Sequence, residues 1–218
     1  MGELFAELLP EMIGLILTPG AVLGCILLLR TPRPVPSAAA FGAGFLLVYL
    51  FIAISALLGG ASDPDATAPE VSHGAGLVVG VLFLIAGTWL STRPRRPLQE
   101  RPKLLRELDI AGPRRAFVIG IALGVLNPNL FIMMSGMSII ASSPVGTAGA
   151  LLAALLLLLS ASLDFAIPIG SFLVLGNRAR TALATAENWM LRHSRTLTLA
   201  MFYVFGALFT IRGITNLT

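Results

Sequence analysis

A chain of 218 residues that is 56% hydrophobic and only 12% charged, with a mean hydropathy of +0.88, is too apolar to face water as a soluble domain. Arginine supplies fourteen of its fifteen basic residues, with Lys103 the exception, and the net charge is +4. The single cysteine, Cys25, excludes an internal disulfide and any C-x-x-C chemistry.

A stretch of about 20 apolar residues crosses a bilayer as a helix. The chain offers six, near residues 5–29, 36–60, 74–92, 115–141, 147–175 and 196–215, so the expected fold is an all-α polytopic membrane protein with six transmembrane helices. The first opens on "MGELFAELLPEM", with neither a basic leading region nor a small-residue cleavage site, and is expected to be a retained helix rather than a signal peptide. The connections after spans one, three and five hold Arg30 and Arg33, then Arg93, Arg95, Arg96, Arg101, Lys103, Arg106, Arg114 and Arg115, then Arg178, Arg180, Arg192 and Arg195. The opposite side has Arg212, with acidic Glu3, Glu7, Asp63, Asp65 and Glu70. Fourteen basic residues against one predict a plasma (inner) membrane protein with both termini outside.

That orientation divides the chain. A first half of three spans (1–92) starts outside, a basic cytoplasmic linker (93–114) follows, and the second half (115–218) starts inside, so the halves are two inverted three-helix repeats. Aligning "LTPGAV" with "LNPNLF" sets Thr18 on Asn127, Pro19 on Pro128 and Gly20 on Asn129, within the first span of each half. In a helix interior, proline removes a donor and frees a carbonyl one turn earlier, at a cost of about 3 kcal/mol. In transporters built from inverted repeats, such interruptions meet near the midplane and form the substrate or ion site. The competing reading of each proline is a plain structural kink, which membrane helices tolerate.

Further along, "SASLDFAIPI" places Asp164 near the centre of the fifth span, four residues before Pro168. No basic residue lies in the core of any span, and a carboxylate there costs on the order of 3 kcal/mol to insert. It is therefore expected to be paired, hydrated or protonated, as part of a translocation site or, alternatively, as a packing contact. At the amino terminus Glu3, Glu7 and Glu11 recur every four residues on one helix face, with Thr18 seven residues on. The stripe reads as an outer vestibule leading toward Thr18, or as a solvated face. Arg212 could pair with Glu7 or Glu11, which would make them structural.

Of the basic connections, "TRPRRPLQERPKLLRELDIAGPRR" is expected to be largely non-helical, apart from a short amphipathic turn at Leu104, Leu105 and Leu108. "GNRARTALATAENWMLRHSR" reads as an interfacial amphipathic helix near 177–193, with Leu183, Trp189 and Met190 toward lipid. Their arginines would attract anionic lipid headgroups rather than nucleic acid, although positive-inside topology accounts for them without a headgroup site. Gly76-x-x-x-Gly80 and Gly120-x-x-x-Gly124 permit close helix packing.

The segments "ELFAELLPEMIGLILTPGAV", "GIALGVLNPNLF", "SASLDFAIPI" and "WMLRHSRTLTLAMFYVFGALFTIRGI" resemble, over nearly the whole chain, the peptidoglycolipid addressing protein (GAP, Sap-like) family of the lysine-exporter (LysE) superfamily. The resemblance implies movement of envelope glycolipids across or out of the inner membrane. It carries Thr18, Pro19, Asn127, Pro128 and Asn129, together with Asp164, over as parts of the translocation site, and suggests a homodimer. Neither a metal nor a cofactor is expected: His73 and His193 lie in connections, Asp164 stands alone in its span, and there is no nucleophile with a partner at a plausible spacing and no phosphate-binding loop. Export of a small solute such as an amino acid is the second reading. A scaffold that docks lipid-synthesis or export proteins on its basic loop is the third.

Overall fold

The computed structural model describes residues 2–16, 18–58, 69–93 and 111–217, and every regular element among them is helical. In chain order these are α1 (Gly2–Ile16), α2 (Pro19–Leu28), α3 (Pro34–Ala56), α4 (Pro69–Thr92), α5 (Pro113–Leu126), α6 (Asn129–Ser142), α7 (Thr147–Leu175) and α8 (Asn177–Leu217). Most of the basic linker, the turn at Leu104, Leu105 and Leu108, and the acids Asp63 and Asp65 lie outside the described residues, as do the side chains of Glu70, His73 and Arg180. Helices α2, α3, α4 and α5 all begin on proline, which lacks a donor the first turn would leave unused and brings the helical φ with it.

Two of the expected spans are each a pair of helices. α1 and α2 meet at 43°, and α5 and α6 at 67°. The residue before each proline has left helical space, Thr18 at φ −104°, ψ 86° and Asn127 at φ −79°, ψ 130°, as the clash with the following ring requires. Proline by itself does not dictate the break, because Pro10 and Pro168 sit inside continuous helices. Those two follow Leu9 and Ile167, whose side chains offer the backbone nothing. Thr18 and Asn127 carry oxygens that bond locally to main-chain groups in place of the helical ladder.

Helices α3 and α7 and the Thr181–Thr215 part of α8 are each long and apolar enough to cross a bilayer, and each bent pair taken as one span raises the number among the described residues to five. Phe51, Val118, Ile167, Val174 and Ile211 point outward, exposed, while Phe41, Phe45, Tyr49, Met133 and Leu157 fill the interior. An apolar exterior around a packed apolar core is what a hydrocarbon solvent selects.

Backbones approach closely at two pairs. Gly44 of α3 lies on the Phe117 carbonyl of α5, and Gly120 of α5 lies on the Phe41 carbonyl of α3, so a methyl group at either would strike main chain. α4 runs antiparallel to α8, with Leu77 on Gly213, Gly80 on Thr210 and Gly87 on Phe202. Gly80, Gly120 and Gly124 thus serve helix crossings as their spacing suggested; what Gly76 touches is outside the described residues. The packing pairs also repeat when the halves are exchanged: α3 on α5 matches α7 on α1, α2 on α3 matches α6 on α7, and α2 on α8 matches α6 on α4.

The carboxy-terminal segment departs from expectation. The interfacial helix near 177–193 and the span from 196 are one uninterrupted helix of 41 residues, about 60 Å at 1.5 Å per residue, or twice a hydrocarbon thickness of about 30 Å. No glycine or proline lies between Arg178 and Phe205 to break it. Leu183, expected to face lipid, packs inward against the core. Trp189 remains half exposed, stacked on His193 with ring centroids 4.9 Å apart and beneath the Arg93 guanidinium at 3.7 Å. Arg195 Nη2 donates to the carbonyls of Leu90, Ser91 and Arg93 at 2.9, 2.9 and 2.7 Å, capping the end of α4.

Candidate functional site

The first break is answered group by group. Because Pro19 has no N–H, the Leu15 carbonyl loses its helical donor, and the Thr18 hydroxyl donates to it instead at 3.1 Å. The Gly14 carbonyl accepts from Asn129 Nδ2 at 3.0 Å. The same nitrogen donates to Thr18 Oγ1 at 2.7 Å. The Thr18 carbonyl then opens α2, accepting from the N–H groups of Ala21 and Val22.

The second break supplies that amide. Asn127 Oδ1 accepts the Asn129 N–H at 3.0 Å, an Asx turn, and the Asn127 carbonyl accepts from Leu130. This turn aims the Asn129 side chain away from its own helix and into the first break. Two interruptions more than a hundred residues apart are thereby one polar junction.

Donor arithmetic fixes the orientation of the junction. Gly14 offers only a carbonyl, so the nitrogen of the Asn129 amide must face it; the single hydroxyl proton of Thr18 is committed to Leu15. Asn129 Oδ1 consequently has no partner. Asp164, 3% exposed, faces the Thr18 hydroxyl and main-chain N–H, yet neither of its oxygens reaches hydrogen-bonding geometry with a protein donor. The Tyr49 hydroxyl, also buried and unpartnered, lies within the electrostatic reach of Asp164, as does Cys25. Beside the break, Gly20 is half buried, and a methyl group there would meet nothing within 4 Å. The junction therefore holds buried acceptors that lack donors, an arrangement suited to a hydroxyl, an ammonium or a proton from outside the chain.

Of the residues singled out from sequence, the structure brings Thr18, Asn127, Asn129 and Asp164 together, with Pro19, Gly20 and Pro128 forming the turns. Glu7, Glu11 and Arg212 are elsewhere. Glu11 is fully buried and paired to Arg212 Nη1 at 2.7 Å, with Ser135 donating at 3.3 Å. Arg212 Nη2 donates to the Glu7 carbonyl at 2.9 Å, while the Glu7 side chain is exposed. This cluster ties α1, α6 and α8 together. At the other end of α8, the buried Glu187 pairs with Arg30, two residues past the end of α2, at 2.9 Å.

Tyr49, Ser135 and Glu187 were not found by reading the sequence. A tyrosine in the middle of the otherwise apolar "FLLVYLFIA" was a usable signal. Ser135 carried none, since a serine in a membrane helix commonly bonds its own backbone.

An apolar exterior, two interrupted spans and a buried polar junction define a polytopic helical membrane protein with a candidate site inside its bundle. The model of one family, Sap, sulfolipid-1-addressing protein, matches residues 8–215, and the chain belongs to that family. The match covers both breaks, Asp164 and Arg212. No curated protein and no solved structure matches the chain. Membership places it among membrane proteins concerned with lipid addressing.

Proposed function

We propose that the protein is a transporter taking part in the translocation of a cell-envelope glycolipid across or out of the inner membrane, along a path that passes the joined helix breaks. The observation behind this reading is the junction. Asn129, Thr18 and Asp164 are buried at 0%, 2% and 3% exposure, and three of their acceptor oxygens have no partner. A fold gains no stability from orphaned acceptors, which cost about 1–3 kcal/mol each, so their persistence fits a passenger that needs them. No covalent chemistry belongs to the proposal.

The same reading takes α4 as a sixth span and the halves as inverted repeats. It is supported by the packing pairs that survive exchange of the halves, and by contacts joining residues assigned to one membrane face. Glu11, Ser135 and Arg212 meet on the face without the basic loops; Arg30 with Glu187, and Arg93 with Arg195, meet on the basic face. Both termini then face outward.

Export of a small solute is the second reading, favoured by the enclosure of Asp164: an ammonium would meet the unpaired carboxylate, whereas an anionic headgroup would be repelled. Surface lipids extracted from cells with and without the gene distinguish the two. A missing lipid class supports lipid transport; unchanged lipids with altered amino-acid efflux support the second reading and overturn the first. Asp164→Asn, expressed in the deletion strain, should fail to restore whichever cargo was lost.

A further inference from the structure

Between α2, α7 and α8, at the basic end of the bundle, lies a crevice of about 160 Å³ lined by Ile26, Leu29, Arg30, Phe172 and Leu183. Four of its walls are apolar and the fifth is a guanidinium. It is smaller than the roughly 300–1,000 Å³ of a pocket that encloses a whole ligand, so it holds a few methylene groups rather than an entire lipid. Arg30 is 48% exposed along its side chain, and Glu187, itself 3% exposed, engages it from behind at 2.9 Å. A guanidinium has five N–H donors in a fixed fork; Glu187 is held through Nη2, and donors of this kind on a half-exposed side chain lining the crevice suit sulfate or phosphate oxygens.

Charge and position indicate the occupant. Around this end the described side chains include Arg30, Arg33, Arg178, Arg192 and Arg195 against Glu187, a positive excess that attracts anions. Two walls lead to the polar junction. α2 leads from the first break down to Leu29 and Arg30 just past its end, and within α7 Phe172 lies eight residues, or about 12 Å, beyond Asp164. The crevice thus shares two of its walls with the helices that carry Thr18 and Asp164 to the junction.

We propose that this crevice is the entry subsite for the cargo on the basic face: an anionic headgroup oxygen rests on the open N–H groups of Arg30, and the first methylenes of one chain lie against Ile26, Leu29, Phe172 and Leu183. This rests on the lipid-transport reading, and it separates the duties of the two sites. Arg30 receives the charge of the headgroup at the basic end, and the acceptors at the breaks are left to its hydroxyl groups.

The test is binding, measured without transport. Full-length protein in detergent is titrated with a sulfated galactosylceramide, its unsulfated parent and phosphatidylglycerol, and bound lipid is counted by native mass spectrometry. The sulfated lipid should bind at least tenfold more tightly than its parent. Arg30→Gln by itself would take the guanidinium from the buried Glu187, so the double variant Arg30→Gln/Glu187→Gln is used; it should abolish that preference. Leu183→Trp, which fills the crevice, should weaken the sulfated lipid several-fold. Equal binding of charged and uncharged lipids, or a preference that survives the double variant, overturns the subsite. Phosphatidylglycerol binding as tightly as the sulfated lipid makes the crevice a general anionic-lipid site and overturns its assignment to cargo. Because binding is read in detergent, these results are independent of whether variants at the breaks stop export.

Discussion

At the scale of single residues, Thr18 makes the sharpest demand. Its hydroxyl donates to Leu15 and accepts from Asn129, so two buried groups depend on one oxygen. Thr18→Val keeps the shape and removes both bonds, and should destabilise the protein by about 1–3 kcal/mol. Thr18→Ser keeps both and should stay within about 1 kcal/mol of the parent. Thermal unfolding in detergent, followed by the fluorescence of Trp89 and Trp189, measures the difference; a Val variant as stable as the Ser variant would show that the junction contributes nothing. How far this was legible in the sequence differs from residue to residue. Threonine and asparagine beside mid-span prolines announced unsatisfied backbone. That Asn129 would be the residue to reach Gly14 could not be read, because a contact between positions 115 residues apart is set by the packing of α1 on α6 and leaves no local pattern. Glu187 was hidden for a different reason: in an arginine-rich segment a lone acid reads as surface charge, and only the approach of α2 buries it.

Helices as units explain why the prolines act unequally. Pro10 and Pro168 leave their helices continuous, whereas Pro19 and Pro128 end theirs, because a polar residue precedes each of the latter and replaces the missing bond. Restoring the donor at the first break should therefore mend the rod. Pro19→Ala, which gives the Leu15 carbonyl back its helical donor, is expected to leave the unfolding temperature unchanged or raised and at the same time to lower export. Stability and activity measured on the same preparation check this opposition, and a variant that loses both would contradict it. The α3–α5 crossing is less forgiving. Gly120→Val places a side chain against the Phe41 carbonyl and should reduce the yield of folded protein severely, while the same change at Gly146, where a methyl group meets nothing within 4 Å, should be mild. Comparing membrane-extracted yields decides it. The seams were readable from glycine spacing, but the continuity of α8 was not, since the drop in hydropathy before residue 196 looked like a boundary although nothing in Arg178–Phe205 breaks a helix.

Over the whole molecule, α8 is held to the first broken span at two places, through Arg212 to Glu11 of α1 and through Glu187 to Arg30 just past α2. Residues 187 and 212 are separated by about 37 Å along the helix, somewhat more than a hydrocarbon thickness of about 30 Å, so the pairs lie near opposite ends of the bundle. Both are formed in this structure, and the junction between them is closed off. Under the proposed transport, passage through the bundle requires each to part in turn. In a Cys25→Ser background, the pair Glu11→Cys/Arg212→Cys, bridged by a short reducible bis-thiol reagent, should arrest export, and reductant should restore it. Continued export with the bridge intact would show that this end of α8 does not move during transport.

The most direct trial of the account is the surface-lipid profile of a deletion strain carrying Asn129→Ala, with protein abundance in the membrane matched to the parent. Asn129 contributes the only described side chain that bonds both the Gly14 carbonyl and Thr18 across the two breaks. The account predicts the same missing lipid class as in the strain lacking the gene. A complete parental profile from the Ala variant would contradict it.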